Sequence, residues 1–171
     1  MGLSIVIAGS IIITTLLISS ITTINSINDM FEMSMINNYS IKLNNEKSDT
    51  NITISSIQAN SNNNLVTLSL NNNGTSKLWD YNHFDLIITY DANISNNKIR
   101  VTEYMIYSTV LSNGRWTLSI TDDIADPNIL NPNETAVINA RLSNVIYPNG
   151  KIIVAISTNN GVIFTIGRVV V

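Results

Sequence analysis

The chain has 171 residues, with nine Lys and Arg against twelve Asp and Glu, a formal net charge of −3 and only 12% charged residues. Without clustered Lys and Arg it cannot neutralise a phosphate backbone, which excludes nucleic acid as a partner. The absence of Cys removes disulfides, thiolate metal sites and Cys nucleophiles.

The first predicted element is a helix over residues 1–28, a stretch free of Asp, Glu, Lys, Arg and His. A bilayer core about 30 Å thick needs roughly 20 helical residues, so the segment is long enough to span. Its scattered Ser and Thr do not forbid this, because their hydroxyls can bond back to the carbonyls of the preceding turn. A cleaved secretory signal would carry basic residues first and a shorter apolar run, whereas the first Lys here is Lys42. A buried core helix would show a polar face. The reading is therefore a retained single-span anchor, with Leu3, Ile5, Ile11, Ile12, Leu16, Leu17 and Ile21 facing lipid. The charges that follow, Asp29 and Glu32, are acidic, which places the rest of the chain outside and leaves almost no cytoplasmic tail.

Residues 29–50 are expected to form a neck and linker. Met30, Phe31, Met33 and Met35 extend the apolar pattern as a helical neck or an interfacial stretch, and the polar residues 37–50 read as linker or an irregular first strand. The domain boundary is expected near residue 40, and the domain itself over 51–171.

From residue 51 the pattern becomes alternating and rich in Ile, Val, Thr and Tyr. In 51–59 the residues Ile52, Ile54 and then Ile57 point inward, a slip of one position that predicts a bulge. Residues 65–70 alternate plainly and run into the turn Asn71-Asn72-Asn73-Gly74. Residues 84–90 and 98–110 are the third and fourth strands. Asn113-Gly114 predicts a hairpin into 115–121. Residues 122–133 form a loop with two prolines, and 134–142 the next strand. Residues 151–158 and 162–171 flank Asn159-Asn160-Gly161, a tight hairpin whose residues tolerate positive φ; the last strand is expected to run to Val171. About eight strands without an amphipathic helix among them predict an all-β, immunoglobulin-like antiparallel β-sandwich behind one transmembrane helix.

Candidates for chemistry are few. His83 is the only histidine; Asp80 or Asp85 would supply an orienting acid, but no nucleophile is singled out. Asp122, Asp123 and Asp126 are the best cation loop, yet they lack the Gly and terminal Glu of an EF-hand. No catalytic residue, metal ligand, cofactor or small-molecule substrate is assigned. Trp79, Tyr81 and Phe84, with Trp116 on a strand, are the candidates for an aromatic partner-binding patch, against core packing as the alternative. The five Asn-x-Ser/Thr sequons, at Asn38, Asn51, Asn73, Asn93 and Asn133, are about as many as the Asn-rich composition generates by chance.

The arrangement resembles the archaeal flagellar (archaellum) accessory proteins FlaF and FlaG, which carry an uncleaved N-terminal membrane helix and a flagellin-like β-sandwich. The likeness rests on Met1-Gly2-Leu3-Ser4 leading into Ile11-Ile12-Ile13 and Leu16-Leu17-Ile18, and on the strand Leu65–Leu70 running into Asn73-Gly74-Thr75. It continues in Asp85-Leu86-Ile87-Ile88, in Asn131-Pro132-Asn133-Glu134 before a strand, and in the hairpin Ser157–Val162. The opening Met-Gly-x-Ser leans towards FlaF. The resemblance implies a structural, non-enzymatic stator element in the cytoplasmic membrane, with its sandwich in the space under the surface layer. Its partners would be surface-layer protein, other archaellum components and a second copy of the chain, met through an exposed edge strand. An archaeal flagellin or type IV pilin-like filament subunit is the alternative, although the basic leader of those proteins has no counterpart ahead of the apolar run. A third class is an anchored enzyme or carbohydrate-binding module.

Overall fold

The computed structural model describes residues 2–60, 64–121, 123 and 125–169, the side chains of 2, 4–6, 60 and 169 excepted. It divides into two compact units, Met1–Asn44 and Asn45–Val171.

The first unit is helical. Helix α1 runs without interruption from Gly2 to Asp49, 48 residues or about 72 Å of helix. Its hydroxyls turn inward on the helix itself. Thr14, Thr15, Ser20, Thr23 and Ser26 donate to carbonyls one turn back, each at 2.8–2.9 Å. This removes free donors from the surface and leaves Ile and Leu projecting on every side. Residues 37–49, expected as linker or an irregular first strand, are the last turns of this helix. No Gly or Pro interrupts them, and Leu43, Glu46 and Lys47 are good helix formers; polarity there marks solvent exposure, not a break in the helix.

The final helical turn, residues 46–49, belongs to the second unit and is capped within it. The Asp49 carbonyl accepts from the Thr75 and Ser76 amides at 2.8 and 3.1 Å. The Glu46 carbonyl accepts from Thr50 Oγ1 at 2.8 Å and Asn160 Nδ2 at 3.1 Å. These are the orphan acceptors every helix C-terminus must satisfy.

Among the described residues the second unit has eight strands: β1 (Ile52–Asn60), β2 (Leu65–Asn72), β3 (Asp85–Ile94), β4 (Asn97–Tyr107), β5 (Arg115–Thr121), β6 (Thr135–Arg141), β7 (Lys151–Ser157) and β8 (Ile163–Val169). Their order is β1-β2-β6-β5-β4-β3-β7-β8. All pairs are antiparallel except β4–β5, so two antiparallel four-stranded sets, β1-β2-β6-β5 and β4-β3-β7-β8, meet at a parallel contact two residues long.

The inward residues of both sets form one core. Val66, Leu68 and Leu70 of β2 and Ile138 of β6 belong to the same buried cluster as Leu86, Ile88 and Tyr90 of β3 and Ile152, Val154 and Ile156 of β7. Each such side chain contributes roughly 1.5–3 kcal/mol by leaving water. Trp116 of β5 pairs in register with Ala140 of β6, small beside large, and is fully buried.

The predicted slip in β1 is a bulge. Ile54 pairs with Leu70 and Ser56 with Ser69, leaving Ser55 extra, and Ile52, Ile54 and Ile57 are all buried. The hairpin predicted at Asn113-Gly114 does not form. Gly114 takes φ +73°, but its amide donates to Arg141 of β6 and its carbonyl accepts from Ile106, so β4 and β5 run parallel where they touch. The Asn-Gly pair encodes a local turn and cannot specify which strand lies beside it. The β3–β4 hairpin closes instead through Ser95 and Asn96, both with positive φ, between Ile94 and its partner Asn97, as a two-residue hairpin requires. The β7–β8 hairpin forms as expected, with positive φ confined to Gly161. The expected continuation of β8 through Val170 and Val171 lies outside the described residues.

Candidate functional site

The segment 79–84 enters β3 through a single 3₁₀ turn, Tyr81–His83. Of the four aromatics expected to form a contact patch, Trp116 is fully buried, Phe84 is 2% exposed and Tyr81 6%, whereas Trp79 is 63% exposed. Phe84 and Tyr81 are core residues, packed edge to face at 5.4 Å, because the turn folds them back under the sheet ends. Trp79 alone remains as an exposed aromatic anchor.

Tyr81 is fixed by its hydroxyl, which donates to the Leu78 carbonyl at 2.8 Å and accepts from the Leu130 amide at 3.1 Å. Burial pushes this phenol up to about 12, against the pull of the Leu130 N–H in the other direction. Its ring lies 5.8 Å from Tyr107, which in turn meets Trp116 at 4.9 Å. Trp79, Tyr81 and Tyr107 line a groove of about 320 Å³, together with Leu118 and Ile120 of β5. Sequence reasoning named Trp116 of β5 but missed Tyr107, Leu118 and Ile120 as parts of this site, because it placed β5 beside β4 as an antiparallel hairpin and the two strands instead touch in parallel.

The remaining polar candidates stand apart. His83 Nδ1 meets Asp80 Oδ2 at 2.8 Å on the open surface, one turn away in sequence. Asp126 pairs with Lys77 Nζ at 2.5 Å, Asp123 Oδ2 accepts from the Asn128 amide at 2.8 Å, and Asp122 lies outside the described residues. Among the described residues no three His, Asp or Glu side chains come together as metal ligands.

A second surface lies on the outward face of β4-β3-β7-β8. Ile87 pairs with Tyr104 on one side and Ala155 on the other, and Thr89 with Thr102 and Ile153. Ile87, Tyr104, Ile106, Ile153 and Ile163 are all exposed, an apolar band where an outward sheet face is normally polar. The expected free edge strand is partly occupied: Arg168 of β8 donates from Nη1 to the Ile57 carbonyl of β1 at 2.8 Å, which covers one acceptor of that edge.

Helix α1 is the one helix, among the described residues, long and apolar enough to cross a membrane. Leu3, Ile11, Ile12, Leu16, Leu17 and Ile21 are all exposed on it. The side chain of Ile5 lies outside the described residues.

Comparison with known proteins agrees with this architecture. The sandwich is similar to the archaellum periplasmic stator protein FlaG from Sulfolobus acidocaldarius, at 21% identity and a TM-score of 0.50 over 70% of this chain and 99% of that one. It is likewise similar to the stator complex of FlaF and FlaG from the same organism, at 20% identity and 0.50 over 68% and 87%. The archaeal flagellum of Methanospirillum hungatei strain JF1 shares the fold at 12% identity and a TM-score of 0.64, over 95% of this chain and 91% of that one. No curated protein matches the sequence. The family model for the immunoglobulin-like domain of conserved flagellar protein F matches residues 48–167, from the last turn of α1 into β8, and the chain belongs to that family.

Proposed function

We propose that the chain is a membrane-anchored structural component of the archaellum motor, acting as a stator element. The observation that carries this reading is the flagellar protein F domain over 48–167, following directly on an apolar helix of membrane-spanning length. Residues 1–28 lie in the bilayer, with Leu3, Ile5, Ile11, Ile12, Leu16, Leu17 and Ile21 against lipid, and the sandwich lies outside the cytoplasmic membrane. There it binds surface-layer protein and resists the torque of the rotating filament. The role is mechanical and involves no catalysis.

A stator needs a face for its neighbours, and the apolar band on β4-β3-β7-β8 suits one. Its occupant is a FlaG-type subunit, by analogy with the complex of FlaF and FlaG that the sandwich resembles; a second copy of this chain is the competing occupant. Replacing Ile153 with Lys should abolish co-purification of the FlaG-type subunit while leaving the fold intact, because Ile153 is exposed. If instead a concentration-dependent dimer disappears and co-purification persists, the occupant is the second copy.

A filament subunit is the second reading, favoured by the similarity to the archaeal flagellum across helix and sandwich together. Immunogold electron microscopy of a tagged sandwich in native cells separates the two. Label confined to the envelope, concentrated at filament bases, supports the stator; label along filaments sinks it. Binding to surface-layer protein is tested separately, by co-sedimentation with purified surface layer.

A further inference from the structure

We propose that the groove beside Trp79 is a binding site for a neutral saccharide. It is lined by three aromatic residues, Trp79, Tyr81 and Tyr107, of which Trp79 is the exposed ring and Tyr81 is nearly buried, and by the apolar Leu118 and Ile120. Its polar lining residues, Asn82, Thr109, Ser119 and Asn128, are all uncharged, and the hydroxyl of Ser119 already donates to the Val137 carbonyl, which leaves Asn82, Thr109 and Asn128 as the hydrogen-bonding rim. This combination matches the two-sided chemistry of a sugar, whose C–H faces lie on aromatic rings while its hydroxyls meet amides and hydroxyls.

Three features narrow the ligand. None of the lining residues is charged, so nothing there compensates a phosphate, carboxylate or ammonium, each of which is costly to desolvate without a partner. The volume, about 320 Å³, lies at the small end of ligand pockets, enough for a short saccharide and not for an extended chain. The rim groups are also unoccupied: the side chains of Asn82, Thr109 and Asn128 make no hydrogen bond among the described residues. An apolar side chain of a protein partner would meet Leu118 and Ile120 but leave those polar side chains unused.

The site is preorganised. Tyr81 is held by its two hydroxyl bonds, and Tyr107 is clamped between Tyr81 and Trp116, so ligand binding does not have to order these rings. Trp79 is the exposed ring of the three, and it is the one a sugar would cover.

The inference goes beyond the stator reading and is tested without it, since the assay uses purified full-length chain and no motor component. Isothermal titration calorimetry is run in a detergent without a sugar headgroup, with cellotriose, mannotriose and a chitin trisaccharide as neutral probes and a uronic-acid trisaccharide as the charged control. At least one neutral trisaccharide should bind saturably and better than the charged one. Trp79→Ala should weaken that binding about tenfold, with Trp79→Phe restoring part of it and Asn82→Ala causing a smaller loss. Circular dichroism checks that each variant stays folded, as expected for substitutions at exposed positions. No saturable binding of any neutral probe, binding that survives Trp79→Ala, or capture of an apolar peptide in preference to saccharide would each overturn the assignment.

Discussion

Gly74→Ala tests the account of how α1 is terminated. Gly74 sits in the connection between β2 and the 3₁₀ turn at Tyr81–His83, where a Cβ would come within 2.4 Å of the Asp49 carbonyl oxygen and 2.5 Å of the Asn51 amide nitrogen. Both are backbone atoms and cannot rotate away. The loop must therefore retreat from residues 49–51, and with it go three hydrogen bonds: Asn73 N–H to Asn51, and Thr75 and Ser76 N–H to Asp49. At about 1 kcal/mol net for each bond, with part of an overpacking penalty of about 1–3 kcal/mol added, the expected destabilisation is about 3–4 kcal/mol. For a domain of this size that lowers the melting temperature by about 10 °C. Scanning fluorimetry on the intrinsic emission of buried Trp116 reads the shift in full-length chain held in detergent. Gly167→Ala is the matched control, because its Cβ would meet Ile153 and Ile152 at ordinary contact distances of 3.5 and 3.6 Å. If Gly74→Ala melts within about 1 °C of the parent, the loop yields freely and the capping argument fails.

Other substitutions probe the core and its polar pins. Asn72 is fully buried, donates to the Ser76 and Leu130 carbonyls and accepts from the Gly74 amide; Asn72→Ala should cost about 2–4 kcal/mol in denaturant unfolding. Trp116→Ala should cost about 3–5 kcal/mol and Trp116→Phe clearly less, since the indole N–H has no partner to lose. At Asp91, burial pushes the carboxyl up, but the Lys151 N–H at 2.8 Å and the nearby Lys98 and Arg100 outweigh it and hold it below the ordinary carboxylate range. Its stabilising contribution is thus present above about pH 4 and lost as pH falls through the lowered value, and Asp91→Asn should narrow the stability gap to the parent in that acid window. Tyr81 and Tyr90 are both pushed up to about 12, mainly by burial. The unfolded chain therefore ionises them first, and stability should fall as pH rises above about 10; spectrophotometric titration should show phenol ionisation above the free-tyrosine range that Tyr81→Phe and Tyr90→Phe each reduce.

What could be read from the sequence, and what could not, divides along local and non-local lines. The bulge in β1 was legible because three Ile residues break an alternation within one strand, and burial enforces that register whatever the neighbouring strand is. The β7–β8 hairpin was legible because both partners and their turn are contiguous. The Asn113-Gly114 turn misled for the complementary reason: its conformation is local, but the strand beside it is chosen by the whole sandwich. The groove at Trp79 depends on that same choice, since Tyr107 and Leu118 reach it only through the β4–β5 contact. The burial of Tyr81 and Phe84 was hidden likewise, because no composition rule separates an aromatic that caps a core from one that faces a partner.

The helix illustrates how a polar group can be present in the sequence and absent from the surface. The Ser and Thr of residues 10–26 would weaken a case for lipid if each hydroxyl needed an outside partner. Each of Thr14, Thr15, Ser20, Thr23 and Ser26 instead finds a carbonyl one turn back, so the helix meets its own hydrogen-bonding needs and presents hydrocarbon outward. The opposite holds at its far end. The carbonyls of Glu46 and Asp49 cannot be satisfied from within the helix, and they are met by Thr50, Asn160 and the 75–76 amides. The two ends of the helix thus follow opposite rules: the apolar segment satisfies its hydroxyls from within, and the terminus is completed by side chains and amides of residues 50, 75, 76 and 160. Weakening that terminus by Gly74→Ala should therefore lower the melting temperature of residues 45–171 while leaving the hydroxyl-to-carbonyl bonds of residues 14–26 untouched, so helix content by circular dichroism should be retained below the transition.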